Sequence, residues 1–248
     1  MKRGRVFYRG EIHRVTETQG GVLLDDGALV DEAELAWLPP VEAGTIFALG
    51  LNYADHAAEL NFRAPKEPLV FLKGPNTLCG HLGHTERPAG VREMHYECEL
   101  AVVIGKPARN VPRDLAYDYV AGYTVANDYA FREFLENYYR PNLRVKSRDA
   151  STPLGPWLVD VSDVADPMNL RLTTTVNGRL IQRGCTKDMI FSIPMLIEYL
   201  SSFLTLNPGD LILTGTPEGL ANVQPGDVVV TEVGGIGRLT NTIVEPTE

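Results

Sequence analysis

Cysteine is nearly missing from this chain: Cys79, Cys98 and Cys185 are the only three in 248 residues, an odd number without CxxC spacing. That excludes a disulfide framework and a zinc knuckle, and the three read as reduced, partly buried thiols. No apolar run approaches the roughly 20 residues that span a bilayer. The basic start Met1-Lys2-Arg3-Gly4-Arg5 runs into Val6-Phe7-Tyr8-Arg9-Gly10 rather than an apolar signal core, so a soluble, cytoplasmic protein is expected. Positive charge is scarce too: Lys and Arg total 23 against 32 Asp and Glu, a formal charge of -9. Such a surface repels phosphates over most of its area, so neither nucleic acid nor an anionic membrane is an expected partner. Low-complexity linkers and internal repeats are also lacking. The length suits one large domain, or a main domain with a small appendage, and a small-molecule enzyme fits the acidic balance.

What is present is mostly β. Residues 1 to about 40 alternate short β-like runs with turns at Gly20-Gly21 and Asp25-Asp26-Gly27 and end at Pro39-Pro40, which predicts a small N-terminal β domain over 1–43 and a main domain over 44–248. Thr45 to Leu49 reads as a buried strand, followed by helix-forming residues from Asn52 to Leu60. The clearest helix lies near 193–204: Ser192 is placed to cap it, Pro194 sits in its first turn, and Met195, Leu196, Tyr199, Leu200 and Phe203 form an apolar stripe. The last third is strand and turn, with a hairpin at Asn177-Gly178 and Pro-Gly-Asp turns at 208–210 and 225–227. Gly234-Gly235-Ile236-Gly237 looks like a nucleotide fingerprint but is followed by strand-like residues, so it reads as a tight turn. His81 and His84, each beside glycine, read as a mobile loop rather than metal ligands.

Acidic residues supply the sharpest chemical signal. In His95-Tyr96-Glu97-Cys98-Glu99-Leu100 the two glutamates alternate on a strand that continues through Val102, Val103 and Ile104, so both carboxylates leave one face, roughly 5–7 Å apart. Two like charges so placed repel unless a cation lies between them, and Asp128 offers a third oxygen ligand; hard oxygen donors select Mg²⁺, Mn²⁺ or Ca²⁺. A solvated strand face presents the same pattern. His56 and Glu59, three apart on a helical turn, are spaced for an acid/base dyad, although a solvated turn satisfies that spacing as well. The run from Glu136 to Asp149 concentrates cations, including Arg140, Arg144, Lys146 and Arg148. It reads either as an anion site or as a solvated loop. Thr214-Gly215-Thr216-Pro217 follows the strand Leu211-Ile212-Leu213 and presents hydroxyls and backbone donors at a strand end; no Gly-Lys-Ser/Thr follows, so it is not a P-loop.

Taken in order, Gly50-Leu51-Asn52-Tyr53-Ala54-Asp55-His56, Phe71-Leu72-Lys73, Tyr96-Glu97-Cys98-Glu99-Leu100, Ala121 to Asp128, Lys146-Ser147 and Thr214-Gly215-Thr216-Pro217 resemble the fumarylacetoacetate hydrolase family over about residues 44–245. Within the family, the run Asn137 to Asp149 is similar to the isomerase/decarboxylase branch of homoprotocatechuate (4-hydroxyphenylacetate) breakdown. The resemblance implies an α+β, predominantly β fold: a mixed β-sheet roll with flanking helices and a small N-terminal β appendage, usually a homodimer. It implies Glu97, Glu99 and Asp128 as ligands of Mg²⁺ or Mn²⁺, and Lys146 and Thr216 as holders of the 2-oxo acid end of a small-molecule substrate. His56 and Glu59 become a dyad on a lid that is open without ligand, and Arg140, Arg144 and Arg148 candidates for a distal carboxylate. Leu51 stands where acylpyruvate hydrolases of the family commonly have arginine, so the implied reaction is decarboxylation or isomerisation of an unsaturated 2-oxo di- or tricarboxylic acid, with acylpyruvate hydrolysis, oxaloacetate decarboxylation and non-catalytic metal-dependent binding as alternatives.

Overall fold

The computed structural model describes residues 1–18, 20–60, 63, 65–135 and 143–246. Its largest sheet runs, edge to edge, through Leu29–Val30, Gly21–Leu24, Glu11–Thr18, Lys2–Tyr8, Thr152–Asp160, Val120–Asn127, Cys98–Ile104, Leu211–Leu213, Ile46–Gly50 and Leu69–Lys73. The N-terminal strands extend this sheet, because Lys2–Tyr8 pairs antiparallel with Thr152–Asp160. Pairing is mixed, with Leu211–Leu213 running parallel to Ile46–Gly50 and antiparallel to Cys98–Ile104. A second sheet holds Arg171–Val176 and Arg179–Cys185, joined at Asn177 (φ 51°) and Gly178 (φ 78°), the left-handed pair that a two-residue hairpin turn requires. The predominantly β character read from the sequence is therefore present.

Both faces of the central strands are buried, which is why their sequences read as continuous apolar runs rather than strict alternations. Phe47, Leu49, Leu100, Val102, Ile104 and Ile212 pack outward with the Ile193–Phe203 helix. The intervening Ile46, Ala48, Ala101, Val103, Ala126, Leu211 and Leu213 face inward, and the alanines keep that side shallow. The sheet is also rolled. Laid flat, the Leu69–Lys73 strand would lie four strands, about 19 Å, from Val120–Asn127, far beyond a lysine's reach. Yet Lys73 Nζ donates to Asp128 Oδ1 at 2.6 Å. The chain beyond Lys73 continues through a 3₁₀ turn at Pro75–Thr77 into Leu78–Cys79, which pairs parallel with Thr152 and Pro153. Twist and this return pairing carry the far edge over the inward face.

Two expectations are corrected by packing. The 193–203 helix buries Ile193, Leu196, Ile197 and Leu200, while Phe203 is 58% exposed and meets the Tyr199 ring edge-on. Ser192 occupies the N-cap position without making a side-chain cap bond. The His81–His84 segment is not a mobile loop either. Gly83–Glu86 is a strand parallel to Gly237–Val244, and buried His81 accepts the Thr240 N–H at Nδ1. Gly80 is glycine for close approach, since a Cβ there would meet the Trp37 carbonyl oxygen at 2.1 Å.

Candidate active site

Three adjacent strands end together and deliver the carboxylates. Cys98–Ile104 pairs antiparallel with Val120–Asn127, with Cys98 opposite Asn127. Asp128 thus emerges beside Glu97, and its N–H donates to the Glu97 carbonyl at 2.9 Å. On the other flank Leu211–Leu213 ends at Thr214, and the next N–H, that of Gly215, donates to Glu99 Oε2 at 2.7 Å. Gly215 has φ 87°, and a Cβ there would meet the Asn52 Cβ at 2.9 Å, so glycine alone fits the turn. Glu99 shares strand parity with Ala101 and Val103 and therefore belongs to the inward face of the roll. Glu97 itself lies just before the regular strand, held by its N–H to Asn127 Oδ1 at 2.9 Å.

Glu97, Glu99 and Asp128 each offer an oxygen within 4.8 Å of the others, and all three are buried. Three cations surround them. Lys146 Nζ donates to Glu97 Oε2 at 2.7 Å and to the Asp128 carbonyl at 3.0 Å, Arg132 donates to Glu97 Oε1 at 2.8 Å, and Lys73 donates to Asp128 Oδ1 and to the Lys146 carbonyl. Burial disfavours charge on Glu97, but Lys146 and Arg132 outweigh it and hold this carboxyl down at about 2. On Glu99 burial comes first and Asp128 and Glu97 add to it, so its carboxyl is pushed well above the usual range. Burial opposes charge on Lys146, yet Asp128 and Glu97 raise it above its ordinary value. For Lys73 burial wins over Asp128 and lowers it.

The donor set fits a hard divalent cation. Glu99 Oε1 is buried with no hydrogen-bond partner, and Asp128 Oδ2 lies 3.0 Å from Lys146 Nζ without hydrogen-bond geometry. Buried carboxylate oxygens of this kind are costly unless something supplies positive charge, and an all-oxygen set matches Mg²⁺ or Mn²⁺ rather than a soft metal.

His56 and Glu59 lie on the six-residue helix Ala54–Glu59, with His56 Nδ1 3.2 Å from Glu59 Oε2. In this structure the helix is packed against the loop that follows Thr216. His56 is 4% exposed, and Glu59 Oε1 accepts N–H bonds from Gly219 and Leu220 at 3.0 and 3.1 Å. Tyr96 O–H donates to the Gly219 carbonyl at 2.7 Å, which ties the same loop to the residue preceding Glu97. The helix is held shut by side-chain bonds to backbone, a reason the spacing alone could not supply.

Thr216 is buried and follows Gly215 at the same strand end. Gln182 Nε2 donates to its Oγ1 at 2.9 Å, leaving the Thr216 hydroxyl proton free for another acceptor. Arg144 and Arg148 flank Lys146 in sequence, but their guanidinium groups stack on Phe134 and Phe131. Arg140 lies outside the described residues. The sequence reading did not single out Lys73, Arg132 or Gln182 as site residues. Lys73, which closes the apolar run Leu69–Leu72, stood in the sequence only within the family motif Phe71-Leu72-Lys73, with no role given to it; the other two carry no signal, since their partners come from remote segments.

Comparison with known proteins places these residues in context. Residues 45–244 match the family described as fumarylacetoacetate (FAA) hydrolase, C-terminal. A 4-hydroxyphenylacetate degradation bifunctional isomerase/decarboxylase from Salmonella dublin is 65% identical over 206 residues, covering 83% of this chain and 48% of that protein. The chain spans about half the length of this and two further isomerase/decarboxylase relatives, from Escherichia coli. Among solved structures, 5-carboxymethyl-2-hydroxymuconate delta-isomerase from Mycobacterium smegmatis superposes over the whole of both chains with a TM-score of 0.88 at 36% identity. Fumarylpyruvate hydrolase from Pseudomonas aeruginosa, in complex with Mn²⁺ and pyruvate, covers 83% of this chain and 91% of its own with a TM-score of 0.78 at 31% identity.

Proposed function

Because this chain belongs to the fumarylacetoacetate hydrolase family, we propose that it decarboxylates and isomerises an unsaturated 2-oxo di- or tricarboxylic acid in aromatic-compound breakdown, of the homoprotocatechuate (4-hydroxyphenylacetate) type. The observation that carries this reading is the buried corner where Glu97, Glu99 and Asp128 meet Lys146, in a chain 65% identical to an isomerase/decarboxylase. Glu97, Glu99 and Asp128 would hold Mg²⁺ or Mn²⁺, which when bound supplies Lewis-acid polarisation of a 2-oxo group.

The protein's own groups then divide the work. Thr216 gives its free hydroxyl proton to the substrate's 2-oxo acid end. When the bond to the departing carboxylate breaks, CO₂ leaves and its electron pair enters the conjugated 2-oxo system. Lys146 faces that charge with a buried ammonium group. His56 delivers a proton to carbon from Nε2, because Nδ1 is engaged by Glu59. Isomerisation uses the same group twice, removing a proton from one carbon and returning it to another. Burial of His56 and the Glu59 bonds to Gly219 and Leu220 keep water from quenching the carbanionic stage.

Likeness to fumarylpyruvate hydrolase supports a second reading, hydrolysis of an acylpyruvate, and oxaloacetate decarboxylation would use the same corner. A cytoplasmic homodimer, with residues 1–43 as an accessory β domain and 44–248 as the catalytic domain, completes the proposal. Incubation of the Mg²⁺-loaded protein with 5-carboxymethyl-2-oxo-hex-3-ene-dioate tests it. CO₂ release with an ultraviolet change and no pyruvate is the expected result, whereas pyruvate from acylpyruvates with no CO₂ transfers the assignment to the hydrolase. No turnover of either leaves a metal-dependent binding protein.

A further inference from the structure

The second sheet ends in a strand that buries a single side chain, and that side chain is polar. Within Arg179–Cys185 only Gln182 is buried, and it is buried fully. A glutamine so placed is costly unless its bonding groups are all met, and here they are. Thr174, its register partner on the neighbouring strand, donates its hydroxyl to Gln182 Oε1 at 2.9 Å, while Nε2 lies 2.8 Å from the Pro217 carbonyl and 2.9 Å from Thr216 Oγ1. A carbonyl oxygen can only accept, so the amide must turn Nε2 toward Pro217. The two Nε2 protons then go to Pro217 and Thr216, and Thr216 Oγ1 is compelled to accept. Its own proton has to point elsewhere.

Close packing holds strand and loop together on both sides of Thr216. A Cβ on Gly184 would meet the Pro217 Cβ at 2.5 Å, and one on Gly219 (φ 103°) would meet the Gln182 Cα at 3.1 Å. The same loop begins at Gly215, whose N–H donates to Glu99 Oε2. We propose that Gln182 is a positioning residue: its amide, oriented by Pro217 and Thr174, holds the Thr216 hydroxyl as a hydrogen-bond donor toward a ligand oxygen at the corner of Glu97, Glu99 and Asp128. The inference rests on the 2-oxo acid reading given above and adds what fixes the direction of that hydrogen bond. A threonine hydroxyl left to itself rotates between donor and acceptor directions. Preset as a donor, it meets a carboxylate or keto oxygen without reorganising.

The test is pyruvate binding to the Mg²⁺-loaded protein by calorimetry, with Mn²⁺ affinity, read by electron paramagnetic resonance, as the check on the corner. Thr216→Val removes the donor and is expected to weaken pyruvate about tenfold or more, as for a lost hydrogen bond to a charged group. Gln182→Glu keeps size and shape but turns the bond round. Whether the new carboxyl is ionised or keeps a proton for the Pro217 carbonyl, its oxygen beside Thr216 accepts, so pyruvate should weaken as much as in Thr216→Val. Gln182→Met loses all three bonds yet leaves the Thr216 proton free, and should weaken pyruvate only about two- to threefold. Both losses should vanish when Thr216→Val is already present, with Mn²⁺ affinity within about twofold throughout. Should Gln182→Glu fail to fold, the Gln182→Met loss and its disappearance in the Thr216→Val background carry the test. A merely structural glutamine gives the reverse order, Gln182→Met harming more than Gln182→Glu, with losses that add to that of Thr216→Val. That result, an unaffected Thr216→Val, or Mn²⁺ affinity falling in step with pyruvate overturns the positioning role and leaves the 2-oxo acid reading standing. Wild-type protein that does not bind pyruvate with Mg²⁺ present overturns that reading and the role with it.

Discussion

The carboxylate corner and the Ala54–Glu59 helix are both bonded to the segment that follows Leu213, but they are fixed by different means. The corner is written into a β ladder: Asp128 follows a strand whose last residue pairs with Cys98, and Gly215 follows another. The helix has six residues, too few to persist by its own hydrogen bonds, and Glu59 fastens it through two bonds to the Gly219–Leu220 backbone. Groups that must keep one geometry through a reaction are therefore built into the ladder. The group proposed to carry a proton sits on a piece that a few bonds can release.

That contrast is open to attack, and the largest effect belongs to the ladder. Glu99→Gln should lower metal-dependent turnover by more than about 10³-fold, exceeding the loss of a single hydrogen-bond donor, while circular dichroism and melting temperature stay close to wild type. Undiminished turnover at saturating Mg²⁺ would remove Glu99 from the site. His56→Ala is expected to reduce kcat by about 10²–10⁴-fold with Mn²⁺ affinity unchanged. If Mn²⁺ affinity fell as well, the helix and the corner would not be the separable parts described here.

Lys73→Met probes the join between the roll and the corner. Removing one partner of a buried ion pair should cost roughly 3–5 kcal/mol of stability in the metal-free protein. Added Mg²⁺ should then raise the melting temperature more in the variant than in wild type, because a cation replaces charge that Asp128 has lost. An equal rise in both proteins would mean that Lys73 serves the roll alone.

The smallest effect lies away from both regions. Burial lowers the His81 imidazole from 6.5 to about 4. The half-exposed Glu32 carboxylate, 3.4 Å from its Nε2, is too solvated to counter that. A lowered folded value means that the unfolded chain binds the proton more readily. Stability from this residue is complete above about pH 6.5 and is lost as pH falls toward 4, by up to about 3 kcal/mol. Chemical denaturation at pH 7 and pH 4.5 should show the loss, and His81→Phe should flatten it; an unchanged slope would place the acid sensitivity elsewhere.

How much of this was legible in the sequence follows from the distance over which each signal acts. Glu97 and Glu99 were readable because strand parity is local, and the His56–Glu59 pair because helical spacing is. Asn177-Gly178 announced its hairpin for the same reason. Lys73 and Arg132 were not singled out, since a charge at the end of an apolar run looks like a solvated terminus until the sheet rolls over it. Gly80 misled in the opposite direction: a glycine needed to admit the Trp37 carbonyl is indistinguishable, in one sequence, from a glycine that loosens a loop. The fold class survived these errors because it depends on the count and type of elements rather than on which remote pairs close.

The parallel pairing of Leu211–Leu213 with Ile46–Gly50 sets a schedule for synthesis. Ile46–Gly50 leaves the ribosome well before Leu211–Leu213 and can pair with Leu69–Lys73 once that strand has followed it, which covers one of its edges. Its other edge waits until Leu211–Leu213 has been made, an interval on the order of ten seconds or more at ordinary elongation rates. Through that interval a nascent apolar strand offers an open row of backbone donors and acceptors to any neighbour. Chaperone demand and inclusion-body formation on rapid expression should accordingly depend on Ile46–Gly50, and truncations ending before Leu211 should aggregate more than the full chain does.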